Sequence, residues 1–191
     1  MQKRQKKQIV KIPKNIAVFY CKKKKLIILD GPLKRKSLKV ELNLEINQKK
    51  QQIEIPSQLS LEQSNSDKKY IKALQGTTTS LIKQLLVETS VPIYQKLKLV
   101  GVGYRAFPVE NFEKELLLFR LGFSHSIFLK IPKNIDIFCL KLTKLFINGN
   151  SYQNVTLNSA QIRSNKFPEP YKGKGILYEN EKIILKEGKK V

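Results

Sequence analysis

Five consecutive residues occur twice in this chain. Ile12-Pro13-Lys14-Asn15-Ile16 returns letter for letter as Ile131-Pro132-Lys133-Asn134-Ile135. Val18-Phe19 then answers Ile137-Phe138, and Asp30-Gly31 answers Asn148-Gly149 after a one-residue gap. Both copies sit at the same place in a β-like pattern that ends in a helical one, so the repeat predicts two like units in tandem. Each unit must then bury a core of its own. A chain of 191 residues with 41% hydrophobic residues has the material for two small cores. The expected fold is α+β: two tandem duplicated domains, each an antiparallel sheet packed by a helix, with a basic C-terminal extension.

The local patterns fill in that plan. Val18-Phe19 and Leu26 to Leu29 flank a four-lysine turn and close at Asp30-Gly31-Pro32, which is hairpin grammar. Leu38, Val40, Leu42, Leu44 and Ile46 alternate with Lys39, Glu41, Asn43 and Glu45, predicting one continuous strand with an apolar and a wet face. Asn47 to Lys50 turns it into a short strand around Ile53 to Ile55, which Pro56 ends. The stretch Ser57 to Asp67 is polar and loop-like. Ile71, Leu74, Leu81, Ile82, Leu85 and Leu86 have helical spacing, predicting a helix over about Asp67 to Glu88, capped near Ser66, bent or interrupted at Gly76 and finished before Pro92.

The second unit opens at Ile93. Strand pattern covers Leu97 to Phe107, Leu116 to Phe123, Phe123 to Ile131, Ile135 to Phe138 and Leu145 to Ile147. Tyr152, Val155, Ser159 and Ile162 then form one helical stripe, and Pro168 bars that helix from the tail. The divisions expected are a basic N-terminal extension (1–11), a first domain (12–90), a second (91–166) and a basic C-terminal tail (167–191).

Charge narrows the function. Lys and Arg number 37 against 15 Asp and Glu, a formal +22, and such self-repulsion points to an anionic partner. Nucleic acid fits best, because neither a basic amphipathic helix nor a lipidation site is written in the chain, and its apolar runs fall well short of the roughly 20 residues a span needs. The start lacks an apolar leader or transit pattern, so the chain is expected to stay in the compartment where it is made. Cys21 and Cys139 are isolated and His125 is the single histidine, which removes zinc and disulfide scaffolds. Both cysteines read as small buried hydrophobes.

Enzymatic readings fail on the same inspection. Gly101-Val102-Gly103 lacks the third glycine and the helix of a dinucleotide site; these glycines make room for a close neighbour. Gly173-Lys174-Gly175 lacks the Ser or Thr and the helix of a P-loop. His125 has no partnered nucleophile, and Glu113, Glu115, Glu179 and Glu181 sit among lysines as surface-pairing carboxylates. No cofactor is called for.

The most distinctive stretch is Pro168-Glu169-Pro170-Tyr171-Lys172-Gly173-Lys174-Gly175-Ile176. Prolines stiffen it, glycines open its backbone, and its lysines and tyrosine are the chemistry of phosphate contact and base stacking; such a segment is not expected to bury itself. Together with Leu97-Lys98-Leu99-Val100-Gly101-Val102-Gly103-Tyr104-Arg105-Ala106, Leu121-Gly122-Phe123-Ser124-His125, and Tyr178, Glu181, Lys186, Glu187 and Gly188, it resembles the large-subunit ribosomal protein L six family. The likeness covers most of residues 76 to 191. Residues 12 to 56 share only β pattern and spacing, and Gln48 to Lys69 lacks the family's glycine-containing turn.

The resemblance implies a structural constituent of the large ribosomal subunit, not an enzyme. It implies binding to large-subunit ribosomal RNA mainly through the C-terminal domain, near the sarcin-ricin loop and the factor-binding edge, with neighbouring ribosomal proteins as further partners. The residues expected to face RNA are Tyr104, Arg105, Ser124, His125, Arg163, Lys166, Pro170, Tyr171, Lys172, Gly173, Lys174 and Gly175. Arg120 reads equally as a solvated strand residue. A free RNA-binding module or ribosome assembly factor is the alternative function. Abundant Lys, Ile, Asn and Phe point to an AT-rich genome, and an organelle-encoded mitochondrial ribosome is the first expectation, with a plastid or bacterial cytoplasm as alternatives.

Overall fold

The computed structural model describes residues 7–47, 50–56, 65–109 and 115–188. Expectations for Met1 to Lys6, the turn at Gln48-Lys49, the polar stretch 57–64, Asn111 and Glu113 lie outside the described residues. The fold is α+β, with antiparallel sheets and one helix in each of two units, Met1–Val91 and Pro92–Val191.

In the first unit, β1 (Gln8–Lys11), β5 (Glu45–Asn47) and β6 (Gln52–Ile55) form one sheet in the order β1-β6-β5. Strands β2 (Ala17–Cys21), β3 (Leu26–Asp30) and β4 (Arg35–Lys39) form a second, in chain order. Ile27, Leu29, Ile53 and Ile55 are fully buried and meet Ile82 of α1 (Asn65–Ser90). The repeated pentapeptide makes the same turn in both copies: the Ile16 N–H donates to the Pro13 carbonyl at 3.2 Å, and the Ile135 N–H to that of Pro132 at 3.1 Å. Both isoleucines are buried, which is the reason the alternation in the following strand starts in phase.

Three expectations need correction. The alternating stretch Leu38 to Ile46 keeps its period-two burial but is not one strand: β4 ends at Lys39, β5 begins at Glu45, and they belong to different sheets. Between them the chain bends at Glu41-Leu42 and changes hydrogen-bond partners, with the Val40 N–H going to the Lys25 carbonyl and the Leu44 N–H to the Tyr20 hydroxyl at 3.3 Å. Helix α1 runs through Gly76 without interruption. One helical glycine costs about 1 kcal/mol against alanine, which the packing of a 26-residue helix offsets. Its buried side is also more polar than the apolar stripe suggested: Gln75, Thr78, Thr79 and Thr89 are buried, and Gln75 Nε2 donates to the Ile55 carbonyl at 2.7 Å. Finally, Cys21 is exposed at the end of β2, whereas Cys139 is half-buried, and desolvation pushes its thiol pKa up.

The second unit holds a four-stranded sheet in the order β11-β12-β7-β13, from β7 (Ile93–Val100), β11 (Ile135–Lys141), β12 (Lys144–Gly149) and β13 (Gly175–Tyr178). A three-stranded sheet, β10-β9-β8, is built from β8 (Arg105–Pro108), β9 (Leu116–Arg120) and β10 (Ile127–Lys130). Helix α2 (Tyr152–Ser164) packs Val155, Asn158, Ser159 and Ile162 inward, while Tyr152 stays exposed. The helix follows β12 directly here, whereas β4, β5 and β6 intervene before α1, so the two copies share the turn and hairpin rather than every connection.

Here the strand pattern overran the strands. Leu97 to Phe107 breaks at Gly101-Val102-Gly103, where Gly103 takes φ 75°, and Gly122 at φ 72° separates β9 from a turn that delays β10 until Ile127. The tail departs furthest from expectation. Residues 175–178 are the edge strand β13, paired with β7, and Ile176 is fully buried. An apolar Gly-Ile-Leu run after a charged loop buries itself because β7 offers an open edge beside the core.

Candidate nucleic-acid interface

The end of α2 launches a loop closed at two levels. The Ile176 N–H donates to the Lys166 carbonyl at 2.9 Å, and the Glu169 N–H to that of Lys174 at 2.9 Å. Inside this clamp Gly173, at φ 67°, donates its N–H to Glu169, and the Lys186 N–H reaches the Pro170 carbonyl at 2.9 Å. Pro170, Tyr171 and Lys172 stand exposed at the tip, with Lys174 half-buried on its flank. A backbone tied at so many points presents these side chains at little further cost in conformational entropy on binding.

Gly175 is buried where this loop crosses itself. A Cβ there would lie 2.6 Å from the Pro168 Cα and 2.7 Å from the Phe167 carbonyl oxygen. Its role is therefore close backbone approach, which corrects the expectation that it faces RNA.

The turn after β9 supplies a neighbouring patch. Phe123 stacks on His125, with centroids 5.7 Å apart and planes 19° off parallel, and the Lys166 ammonium sits 4.2 Å from the Phe123 centroid. His125 and Lys166 are thereby gathered around one ring, with Ser124 between Phe123 and His125 in the chain, at the base of the loop that carries Tyr171 and Lys172. Reasoning from sequence missed Phe123 as the organiser, although it lies inside the motif Leu121 to His125.

Other expected residues turn out differently. Tyr104 is buried, its ring wedged where a Cβ on Gly101 or Gly122 would approach to 2.9 Å, so the glycines make room for that ring and Tyr104 is core rather than contact surface. Arg163 is only partly exposed, and its guanidinium grips Glu181 through Nη2 to Oε1 at 2.6 Å and Nε to Oε2 at 3.2 Å. That bidentate pair, flanked by Phe167 and Tyr178, holds the tail, and its charge is not free for phosphate. The Arg163 hydrogen bond pulls the Glu181 pKa below its ordinary value against the opposing effect of desolvation, with help from the Tyr178 N–H. Arg105 is exposed and stands directly across from Arg120, whose guanidinium sits 5.7 Å from the Phe107 ring centroid. Among the described residues no cluster of three His, Cys, Asp or Glu can hold a metal ion, and no helix is long and apolar enough to cross a membrane.

The segment carrying both loops is matched by a family model described as Ribosomal protein L6, over residues 100–179. Along nearly the whole chain, the large ribosomal subunit protein uL6 of Mycoplasmoides gallisepticum is 37% identical over 184 residues, 95% of this chain and 93% of that one. The chain belongs to the L6 family. The uL6 proteins of Mycoplasma pneumoniae (38% over 163 residues; 85% and 84% covered) and Nitrosospira multiformis (35% over 184; 96% and 97% covered) are similar across both units as well. L6 is a family of structural ribosomal proteins and not of enzymes.

Proposed function

We propose that this chain is a structural constituent of the large ribosomal subunit and binds large-subunit ribosomal RNA mainly through its second unit, supporting the region near the sarcin-ricin loop and the factor-binding edge. The observation that carries this reading is the clamped loop Lys166 to Ile176, which holds Tyr171 and Lys172 out from the fold beside the Phe123–His125–Lys166 patch. Lysine point charges suit phosphate, and an exposed tyrosine suits a ribose or base. Phosphate contacts position the protein, and a rigid loop fixes its register. Ser124, His125, Lys166, Pro170, Tyr171, Lys172, Gly173 and Lys174 form the proposed contact set, with Arg105 as an outlying cation.

The bacterial relatives support a bacterial-type particle. They favour the bacterial cytoplasm as host; the mitochondrial matrix rests on the Lys-, Ile-, Asn- and Phe-rich composition and the expected synthesis in the compartment of use, and mapping the gene to a chromosome or an organelle genome decides between them.

The test is retention. The parent chain should co-sediment with large subunits through moderate salt at one copy per particle, and K172E/K174E should shift it to the soluble fraction with its fold intact. Substoichiometric, readily exchanging association of the parent would instead assign a free RNA-binding module or assembly factor.

A further inference from the structure

The four-stranded sheet of the second unit has α2 against one face, where Leu97, Leu145, Ile147 and Ile137 are buried. Its other face is open, and what stands there is chemically unusual. Lys141 lies directly opposite Lys144, and Lys144 directly opposite Lys98, so three ammonium side chains cross three strands in one line. In the next row Phe138 lies opposite Phe146, and Tyr94 stacks on Phe146 with centroids 5.2 Å apart and planes 23° off parallel. Phe138 and Tyr94 are each more than half exposed, at 53% and 51%.

Both rows are unfavourable in the isolated chain. Like charges directly across a ladder repel, and exposed rings leave apolar surface in water. Among the described residues Lys141 and Lys144 enter no ion pair, and the Lys98 ammonium donates to the Glu179 backbone carbonyl at 3.1 Å. The Glu179 carboxylate is taken by Lys96, 3.3 Å away, whose ammonium also sits 5.7 Å from the Tyr94 centroid. A partner that relieves both rows at once must carry flat π faces and regularly spaced negative charge. Unpaired nucleic acid has that combination, whereas a duplex offers only its phosphates and an acidic protein lacks the stackable bases.

We propose that this open sheet face is a second RNA-binding surface, specific for single-stranded segments, with bases stacking on Tyr94, Phe138 and Phe146 and phosphates meeting Lys98, Lys141 and Lys144. It shares no residue with the loop around Tyr171, and it goes beyond the function proposed above.

The experiment uses the full chain carrying K172E/K174E, which removes the loop cations, and a fluorescein-labelled oligouridylate of about ten nucleotides, a length in the range one such platform covers. By fluorescence anisotropy, F138A and K144E should each weaken binding by about fivefold or more, given the worth of one stacked base. The chain has no tryptophan, so F138W places a single reporter on the face. Its emission should be quenched by the single strand and left unchanged by duplex RNA. F138A binding as tightly as its parent would overturn the proposal, as would duplex RNA competing as well as the single strand. Should F138A fail to fold, as circular dichroism would show, the absence of quenching in F138W overturns it instead. Retained oligonucleotide binding by F138A together with its release from large subunits would assign the face to a protein neighbour and equally defeat the RNA reading.

Discussion

Arg163 and Glu181 form a two-bond pair between the last turn of α2 and the residues after β13, with Glu181 Oε2 also accepting the Tyr178 N–H at 3.1 Å. A helix end and a tail that the sequence separates by 18 positions are thus fastened through one carboxylate. Because the Glu181 pKa is lowered in the folded chain, the unfolded chain binds the extra proton first as pH drops. The contribution is therefore complete above the ordinary carboxylate range and disappears as pH falls through the lowered folded value. E181Q should cost roughly 1.5–3 kcal/mol near neutral pH, and the gap to the parent should close in acid. Thermal melts of both proteins across that range measure it, and a gap independent of pH would contradict the assignment.

Gly175 combines φ 153° with backbone atoms 2.6–2.7 Å from where a Cβ would stand. Neither Pro168 nor the Phe167 carbonyl is the end of a flexible side chain, so nothing yields cheaply. G175A should destabilise the second unit by about 2 kcal/mol or more and loosen the Tyr171 loop, read as faster amide exchange at Glu169 and Gly173. Unchanged protection at those amides would count against the crossing described above.

Ile176 is fully buried in the same core cluster as Leu97 and Ile162. I176A should therefore cost about 2–5 kcal/mol, in line with other buried large-to-small changes, although it lies in what reads as a basic tail. Ending the chain after Lys166 should likewise abolish cooperative melting of the second unit. A truncated chain that melts like the parent would restore the picture of a detachable appendage.

Binding through phosphates predicts a steep salt dependence. K172E/K174E should lower RNA affinity at low salt and reduce the slope of log K against log salt by about 0.7–0.9 for each phosphate that is no longer neutralised, while Tm stays within a degree or two. A slope equal to the parent's would place Lys172 and Lys174 away from the RNA.

Much of the molecule was legible because its signals are local. Period-two alternation placed Val40, Leu42 and Leu44 inside and Lys39, Glu41 and Asn43 outside, a parity that survives the bend at Glu41-Leu42. The pentapeptide marked equivalent places in the two units, and the tail motif marked the loop. Illegible were the partners: nothing in the Leu38 to Ile46 pattern says that its two ends pair in different sheets, and nothing around Arg163 points to Glu181.

The residues alone thus determined the class of fold, the doubling of the β pattern and the cationic character that calls for an anionic partner, because composition, periodicity and Gly/Pro placement act within a few residues. Only the tertiary structure decided that Tyr104 and Gly175 are interior, that Arg163 is a clasp, that Phe123 brings His125 and Lys166 together, and that three lysines and three rings share one open sheet face. Those outcomes depend on which strand edges and surfaces meet after the chain closes, and contact between residues distant in sequence is set by the packing of the whole unit rather than by any segment of it.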